Sequence, residues 1–330
     1  MARYLALRNS NGKQQAGGPV AEASMQGHPM ARQTKTFLLE RFREMGIRPA
    51  TRHGQNFLID LNLVELIVES AELSPDDVVL EVGTGTGSLT AMMAPRVGGI
   101  VTVEIDAHLF ELASEQLMDF SNVTMLRLDA LRNKNTFDPR VMEAVGNQLA
   151  AAPGRRFKLV ANLPYNIATP VISNLLLAPY LPHSMTVTIQ KELADRITAA
   201  PSTKDYSALS VWIQSQCTAE IVRVLPPTVF WPEPKVSSAI LRIVIEPERR
   251  AAIEDLRYFH EIIKALFFHR RKFLRANLLS AMKRHLDKAQ VDDLLEQMGF
   301  AADTRTEQLD VATLIKLAGR IRAIAPDWSL

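Results

Sequence analysis

Residues 162–165 read Asn-Leu-Pro-Tyr and directly follow an apolar run, FKLVA, at 157–161. A strand that served only the core would leave through an ordinary turn. This one leaves through a stiff polar corner that carries an aromatic ring. The Asn162 side-chain oxygen and the Leu163 carbonyl can each accept a hydrogen bond from one amino group. Pro164 fixes the backbone so that the two acceptors converge. Tyr165 offers a flat face for a nucleobase taken out of its stack. An amine conjugated to a planar ring is a poor nucleophile, because its lone pair is delocalised. Two acceptors that pull the nitrogen toward tetrahedral would aim that lone pair at an electrophile. Such a displacement needs positioning more than acid or base catalysis, and orientation can lower a barrier by roughly 7–11 kcal/mol.

A second constellation lies upstream, in EVGTGTGSLT at 81–90. Glycines at 83, 85 and 87 let the backbone turn tightly and approach a ligand. Glu104 ends the next apolar run, 21 residues after Gly83, where a carboxylate can accept both ribose hydroxyls. Asp129 ends the third run and is placed to reach an adenine amino group. Two ligand classes fit these residues. Gly83, Gly85 and Ser88 nearly complete a dinucleotide fingerprint, and the acid spacing suits it. A GxGxG turn preceded by an acid, here Glu81, resembles the S-adenosylmethionine methyltransferases, whose sulfonium donor favours nearby carboxylates.

Both constellations need a frame. VVLEV (78–82), IVTVEI (100–105), VTMLRL (123–128) and FKLVAN (157–162) have β character, with helical stretches such as 87–95 and 107–119 between them. Strands alternating with helices predict a parallel sheet covered on both faces. Its ligands bind at the carboxyl ends of the strands. Further strands are expected at 185–190, 219–225 and 238–246. The segment 133–156 is long for a connection and predicts an extra helix and a surface loop. From about 251 the β runs stop, and helices are expected at 256–269, 272–286, 288–298 and 310–324. Asp310 is an N-cap candidate for the last of these. Three parts follow: a disordered arm at 1–30, a catalytic domain at 31–250 and a helical domain at 251–330.

The 330 residues are 47% hydrophobic and 22% charged, ordinary for a globular chain. One cysteine, Cys217, excludes an internal disulfide framework, suggests a reducing compartment and reads as a buried small hydrophobe. The seven histidines lack metal-ligand spacing, so no metal is expected. No apolar run is long enough to span a membrane, and MARYLALRNS lacks the apolar core of a secretory signal. The net charge is only +2, yet residues 257–288 hold nine Lys/Arg against two acids. That block suggests a polyanionic partner.

Taken as a set, these motifs resemble the KsgA-type family of small-subunit rRNA adenine dimethyltransferases. The resemblance runs from about 45 to 322 and includes GQNFLID (54–60), EVGTGTGSLT, VEID (103–106), DAL (129–131), NLPYNIATP (162–170), IQKELADRI (189–197), FWPEPKVSSAILRI (230–243) and FFHRRKFLRANL (267–278). It implies an α/β fold with a Rossmann-like class I methyltransferase sheet and a small C-terminal helical domain. Asn56, Leu58, Gly83, Gly85, Glu104, Asp129 and Asn162 would hold S-adenosyl-L-methionine. Asn162, Leu163, Pro164 and Tyr165 would position the target amine, and Phe230 would sandwich the base against Tyr165. Arg270, Arg271, Lys272 and Arg275 would contact RNA phosphates, while Phe267, Leu274 and Leu278 pack inward. The implied substrate is a pair of adjacent adenines near the 3′ end of small-subunit (16S) rRNA, in a 30S assembly intermediate. The implied protein is a cytoplasmic monomer.

The chain departs from the family pattern in three places. Thr84 stands where the glycine loop usually has proline, the 133–156 stretch is long, and the N-terminal arm is extra. Three rivals are weaker. A large-subunit rRNA methyltransferase shares the donor loop, but the RRK helix resembles the small-subunit enzyme. An assembly or transcription factor that keeps only the fold would not need Glu104, Asp129 and Asn162–Tyr165. A dehydrogenase comes last.

Overall fold

The central strands are apolar on both sides because both sides are covered. In the strand Asp77–Val82, Leu80 and Val82 enter one core while Val79 enters the other. Val101 and Val103 alternate with Ile100 in the same way, and Leu159 and Ala161 alternate with Val160. Side chains along a strand alternate with period two, so helices on both faces produce near-continuous hydrophobic runs. The computed structural model describes Glu40, Phe42, residues 55–269 and residues 272–329. The expected arm at 1–30, together with Arg270 and Arg271, lies outside the described residues.

Seven strands form the main sheet: β1 (Asp77–Val82), β2 (Gly99–Glu104), β3 (Val123–Arg127), β4 (Arg156–Asn162), β5 (Ser184–Gln190), β6 (Cys217–Leu225) and β7 (Ser238–Ile245). Their spatial order is β3-β2-β1-β4-β5-β7-β6. The first five are mutually parallel. β7 runs antiparallel to both β5 and β6, so the sheet is mixed rather than wholly parallel. Only residues 226–237 join β6 to β7. Prolines at 226, 227, 232 and 234 leave no room for the crossover helix that a parallel neighbour requires.

Helices α1 (Leu61–Ser70) and α2 (Ser88–Met93) cover one face, through Leu63, Val64, Ile67, Leu89 and Met93. α3 (Ala107–Leu117) follows β2, and the Asp106 carboxylate accepts from the backbone N–H groups of His108 and Leu109 at 3.0 and 3.1 Å. Such an N-cap is worth about 1 kcal/mol. The long 133–156 stretch holds α4 (Pro139–Ala150), preceded by a small two-stranded pair at Leu131–Asn133 and Thr136–Phe137. α5 (Ala168–Leu175), α6 (Lys191–Ile197) and α7 (Ala208–Gln214) pack on the opposite face from α1.

After a short helix α8 (Pro247–Ala251) come α9 (Leu256–Leu266), α10 (Leu274–Ala281), α11 (Lys288–Gln297) and α12 (Val311–Ile324). Asp310 caps α12 by accepting from the Thr313 N–H at 2.8 Å. Chain character changes from strand to helix at Ile245, but the packing is continuous across that point. Phe259, Ile262, Ile263, Leu314 and Ile321 share one hydrophobic core with Trp212, Leu241 and Ile243. The chain's last turn is fastened by Tyr258, whose hydroxyl donates to the Ala325 carbonyl at 2.9 Å, and by Trp328, whose Nε1 donates to the Ala281 carbonyl at 2.9 Å. Cys217 is fully buried in the same core.

Candidate active site

The parallel strands β1, β2, β3 and β4 end on the same edge of the sheet, and their ends open into one cleft. Gly83, Gly85, Glu104, Asp129, Asn162, Leu163, Pro164 and Tyr165 all line it, with Asn56 and Leu58 from the segment before α1. Residues spread over more than 100 positions of sequence therefore meet because they lie at or just after the carboxyl ends of these strands, or in the segment before α1.

The glycine turn is built for close approach. Gly83, Gly85 and Gly87 have φ of +88°, +57° and +82°, values that disfavour a side chain. A Cβ on Gly85 would also lie 3.3 Å from the Phe57 ring. The Thr84 hydroxyl makes a 2.6 Å hydrogen bond with the Thr102 hydroxyl, which in turn donates to Glu81 at 2.7 Å. Thr90 also donates to Glu81. Thr84 thus ties the loop to β1 and β2 by hydrogen bonds rather than by ring stiffness. Glu81 is 1% exposed, and burial pushes its carboxyl up to about 8.

Glu104 terminates β2 at the cleft wall. Its two oxygens accept from the backbone N–H groups of Gly85 at 2.9 Å and Asp106 at 3.0 Å. Burial raises its pKa, and those backbone donors offset part of the rise. Each oxygen retains a lone pair for a hydroxyl donor. Asp129 is exposed; one oxygen accepts from the Leu131 N–H at 2.9 Å. Ile105 lies between these acids in sequence, lines the cleft and is 49% exposed. An apolar residue so open at a cleft is an apolar platform for a flat ring. Sequence reading missed it because Ile105 looks like one more strand residue in IVTVEI.

The corner after β4 is fixed by three contacts. The Asn162 side-chain nitrogen donates to the Asn56 carbonyl at 2.9 Å, which assigns the amide orientation and leaves its oxygen as acceptor. The Leu163 N–H donates to the Thr188 carbonyl at 3.1 Å, continuing the ladder with β5. The Tyr165 hydroxyl shares a 2.6 Å hydrogen bond with the Ser238 hydroxyl, holding the ring at the mouth. Neither Asn56 nor Ser238 as a positioning partner was visible in the sequence, since both contacts are long-range.

One expected cleft residue lies elsewhere. Phe230 does not line the cleft. It is 2% exposed and packs among Leu63, Val64 and Ile240. The cause is a short antiparallel pair, Phe57–Leu58 with Phe230–Trp231, in which Leu58 faces Phe230 and Phe57 faces Trp231. That pairing turns Trp231 toward Phe42 and Phe57 and turns Phe230 into the core. In α10, Arg275 is exposed but engaged. Its Nε and Nη2 donate to the two Asp292 oxygens at 2.5 and 2.8 Å. Lys272 is exposed. Leu274 and Leu278 are buried as expected, and Phe267 packs edge-on against Tyr206. Among the described residues no cluster of three or more His, Cys, Asp or Glu could hold a metal ion.

Two acids at the strand ends, a glycine turn in backbone conformations that disfavour side chains and a fixed amide acceptor suit a nucleoside-bearing methyl donor. Comparison with known proteins decides the family. Residues 48–317 match the family model described as ribosomal RNA adenine dimethylase. The chain belongs to that family. Its members are methyltransferases that take the methyl group from S-adenosylmethionine. Over 270 residues the chain is 39% identical to ribosomal RNA small subunit methyltransferase A of Streptococcus pneumoniae strain CGSP14, covering 82% of this chain and 90% of that one. The strain D39 protein of the same name is 38% identical with the same coverage. Among solved structures, a dimethyladenosine transferase from Plasmodium falciparum shares the fold with a TM-score of 0.67 at 22% identity, covering 80% of this chain and 96% of that one. The 23S rRNA methyltransferase ErmE superposes with a TM-score of 0.57 at 27% identity, covering 80% and 99%.

Proposed function

We propose that this chain dimethylates the N6 amino groups of two adjacent adenines in the 3′-terminal hairpin of small-subunit (16S) rRNA, within a 30S assembly intermediate. The observation that carries the reading is the Asn162 amide, anchored on the Asn56 carbonyl so that its oxygen accepts at the cleft. S-adenosylmethionine supplies the methyl group as an electrophilic sulfonium substituent. Glu104 and Asp129 would hold its ribose and adenine, with Asn56, Leu58, Gly83 and Gly85 shaping the pocket. The Asn162 oxygen and the Leu163 carbonyl would accept from the adenine amine and orient its lone pair. Pro164 keeps these acceptors rigid, and Tyr165 supplies the stacking face. With Phe230 buried, a flipped base would stack on Tyr165.

The small-subunit assignment draws on the similarity to the Streptococcus pneumoniae proteins, which exceeds that to ErmE. The helical C-terminal part, with Arg270, Arg271, Lys272 and Arg275, would bind the phosphate backbone without reading sequence. The protein would act as a monomer in the cytoplasm. No helix among the described residues is long and apolar enough to cross a membrane. The test is methyl transfer from labelled donor to unmethylated small subunits, with large-subunit RNA as the competing acceptor. Incorporation into the small subunit supports the reading. Incorporation confined to large-subunit RNA refutes it.

A further inference from the structure

The turn that joins α9 to α10 spends two phenylalanines on solvent. Phe268 is 79% exposed and Phe273 is 45% exposed. Their apolar neighbours are not wasted in this way: Leu266, Leu274 and Leu278 are 0%, 1% and 0% exposed. One exposed phenylalanine on a surface is ordinary. Two rings on either side of an exposed lysine, in the most basic stretch of the chain, are not. Exposed Lys272 stands between them in sequence. The Arg305 guanidinium lies 5.7 Å from the Phe273 ring centroid, brought there by a backbone bridge between Phe273 and Arg305.

The described residues beside Phe268 and Phe273 are also fastened. Buried Asn277 donates its side-chain amide to the Leu266 and His269 carbonyls at 3.0 and 3.3 Å. The Lys272 N–H donates to the His269 carbonyl at 3.0 Å, and the Leu274 N–H donates to the Thr304 carbonyl at 2.7 Å. The backbone next to each ring is therefore tied down, which lowers the ordering cost of binding.

We infer that Phe268 and Phe273 form a base-stacking site for unpaired nucleotides of the RNA substrate, separate from the catalytic cleft. Flat apolar rings interleaved with cations are the chemistry of single-stranded RNA recognition, in which the cations hold phosphates and the rings cover base faces. An acidic peptide would satisfy the cations and leave the rings with nothing flat to cover. This inference rests on the proposed RNA substrate and adds a second point of grip. A basic surface alone holds RNA in many registers, and stacked bases would select one of them.

The test is equilibrium binding of naked unmethylated small-subunit rRNA to the full-length protein, alongside methyl-transfer kinetics on unmethylated small subunits. Phe268→Ala and Phe273→Ala should each weaken RNA binding about tenfold, and the corresponding tryptophan variants should restore it. The slope of log affinity against log salt should stay that of the wild type, because no phosphate contact is lost. Donor affinity and kcat should be unchanged while KM for the subunit rises. Alanine variants that bind naked RNA within twofold of wild type would overturn the inference. So would weakened binding to whole subunits alone, which would make a ribosomal protein the partner. Wild-type protein that transfers no methyl group to small subunits would defeat the proposed function instead, while the RNA-binding arm still decides the stacking site.

Discussion

Gly83 sits directly against the Pro164 ring: a Cβ placed on Gly83 would lie 3.2 Å from the proline Cδ and 3.3 Å from its Cγ. The donor loop and the acceptor corner, 81 positions apart in sequence, are thus in direct contact. Each motif limits the position of the other, so the proposed donor loop and the proposed amine-binding corner would move together.

Gly83→Ala tests that contact. The left-handed φ of +88° disfavours a side chain by roughly 1–2 kcal/mol, and the new methyl group would push on Pro164. The expected outcome is a comparable loss of stability in urea unfolding, with donor affinity reduced about tenfold or more by calorimetry. Full donor affinity in this variant would show that the loop can relax away from the proline.

Asn162→Ala removes one of the two proposed acceptors. The lost hydrogen bond to Asn56 costs about 1 kcal/mol of stability, so the variant should fold. Its kcat should fall about a hundredfold, a loss of roughly 3 kcal/mol of transition-state stabilisation. Asn162→Asp keeps an acceptor but replaces the amide donor with an anion facing the Asn56 carbonyl, and it should be nearly as impaired. Single-turnover kinetics separates this chemical loss from any change in RNA binding.

The Glu81 carboxyl gives a pH signature. It is raised by burial from the ordinary 4.5 to about 8. Below 4.5 it is protonated both folded and unfolded. Between those values only the folded chain keeps the proton, so native stability falls as pH rises through that window and levels off above about 8. Glu104, raised by the same cause, adds to the trend. Urea midpoints across this range should therefore decline with pH, and Glu81→Gln should flatten the decline. An unchanged slope in that variant would remove Glu81 as its source.

Arg275 is paired with Asp292 on an exposed surface, where an ion pair stabilises little. Asp292→Asn should free the guanidinium for a phosphate. RNA affinity should rise, and the salt dependence should steepen by about 0.7–0.9 in log–log slope per added contact. Lys272→Ala should move the slope the other way by about 1. Filter binding over a salt series reads both effects.

What could be read from sequence follows the range of the interactions. Each strand of the main sheet left a short apolar run, and Asp310 marked the start of α12 through purely local capping. The strand ends also announced Gly83, Glu104, Asp129 and Asn162, because chemistry at the carboxyl edge of a parallel sheet falls just after each run. Long-range pairings were silent. The bidentate Arg275–Asp292 pair spans 17 residues, outside the helical i, i+4 spacing that sequence inspection catches. Phe230 reads as a free aromatic until its pairing with Leu58 turns it inward. The antiparallel β7 had a local signal, the proline-rich connector too short for a crossover helix, which the alternation of earlier elements masked. Thr84 shows the reverse case: a departure in sequence from the usual proline whose stiffness is supplied by a hydrogen bond to Thr102, invisible until the strands are paired.

The most direct test of the central claim is mass spectrometry of small-subunit rRNA after incubation of unmethylated subunits with the purified protein and S-adenosylmethionine. The account predicts N6,N6-dimethyladenosine at two adjacent adenines of the 3′-terminal hairpin, formed about a hundredfold more slowly with Asn162→Ala. Methylation of large-subunit RNA with none in the small subunit would contradict it.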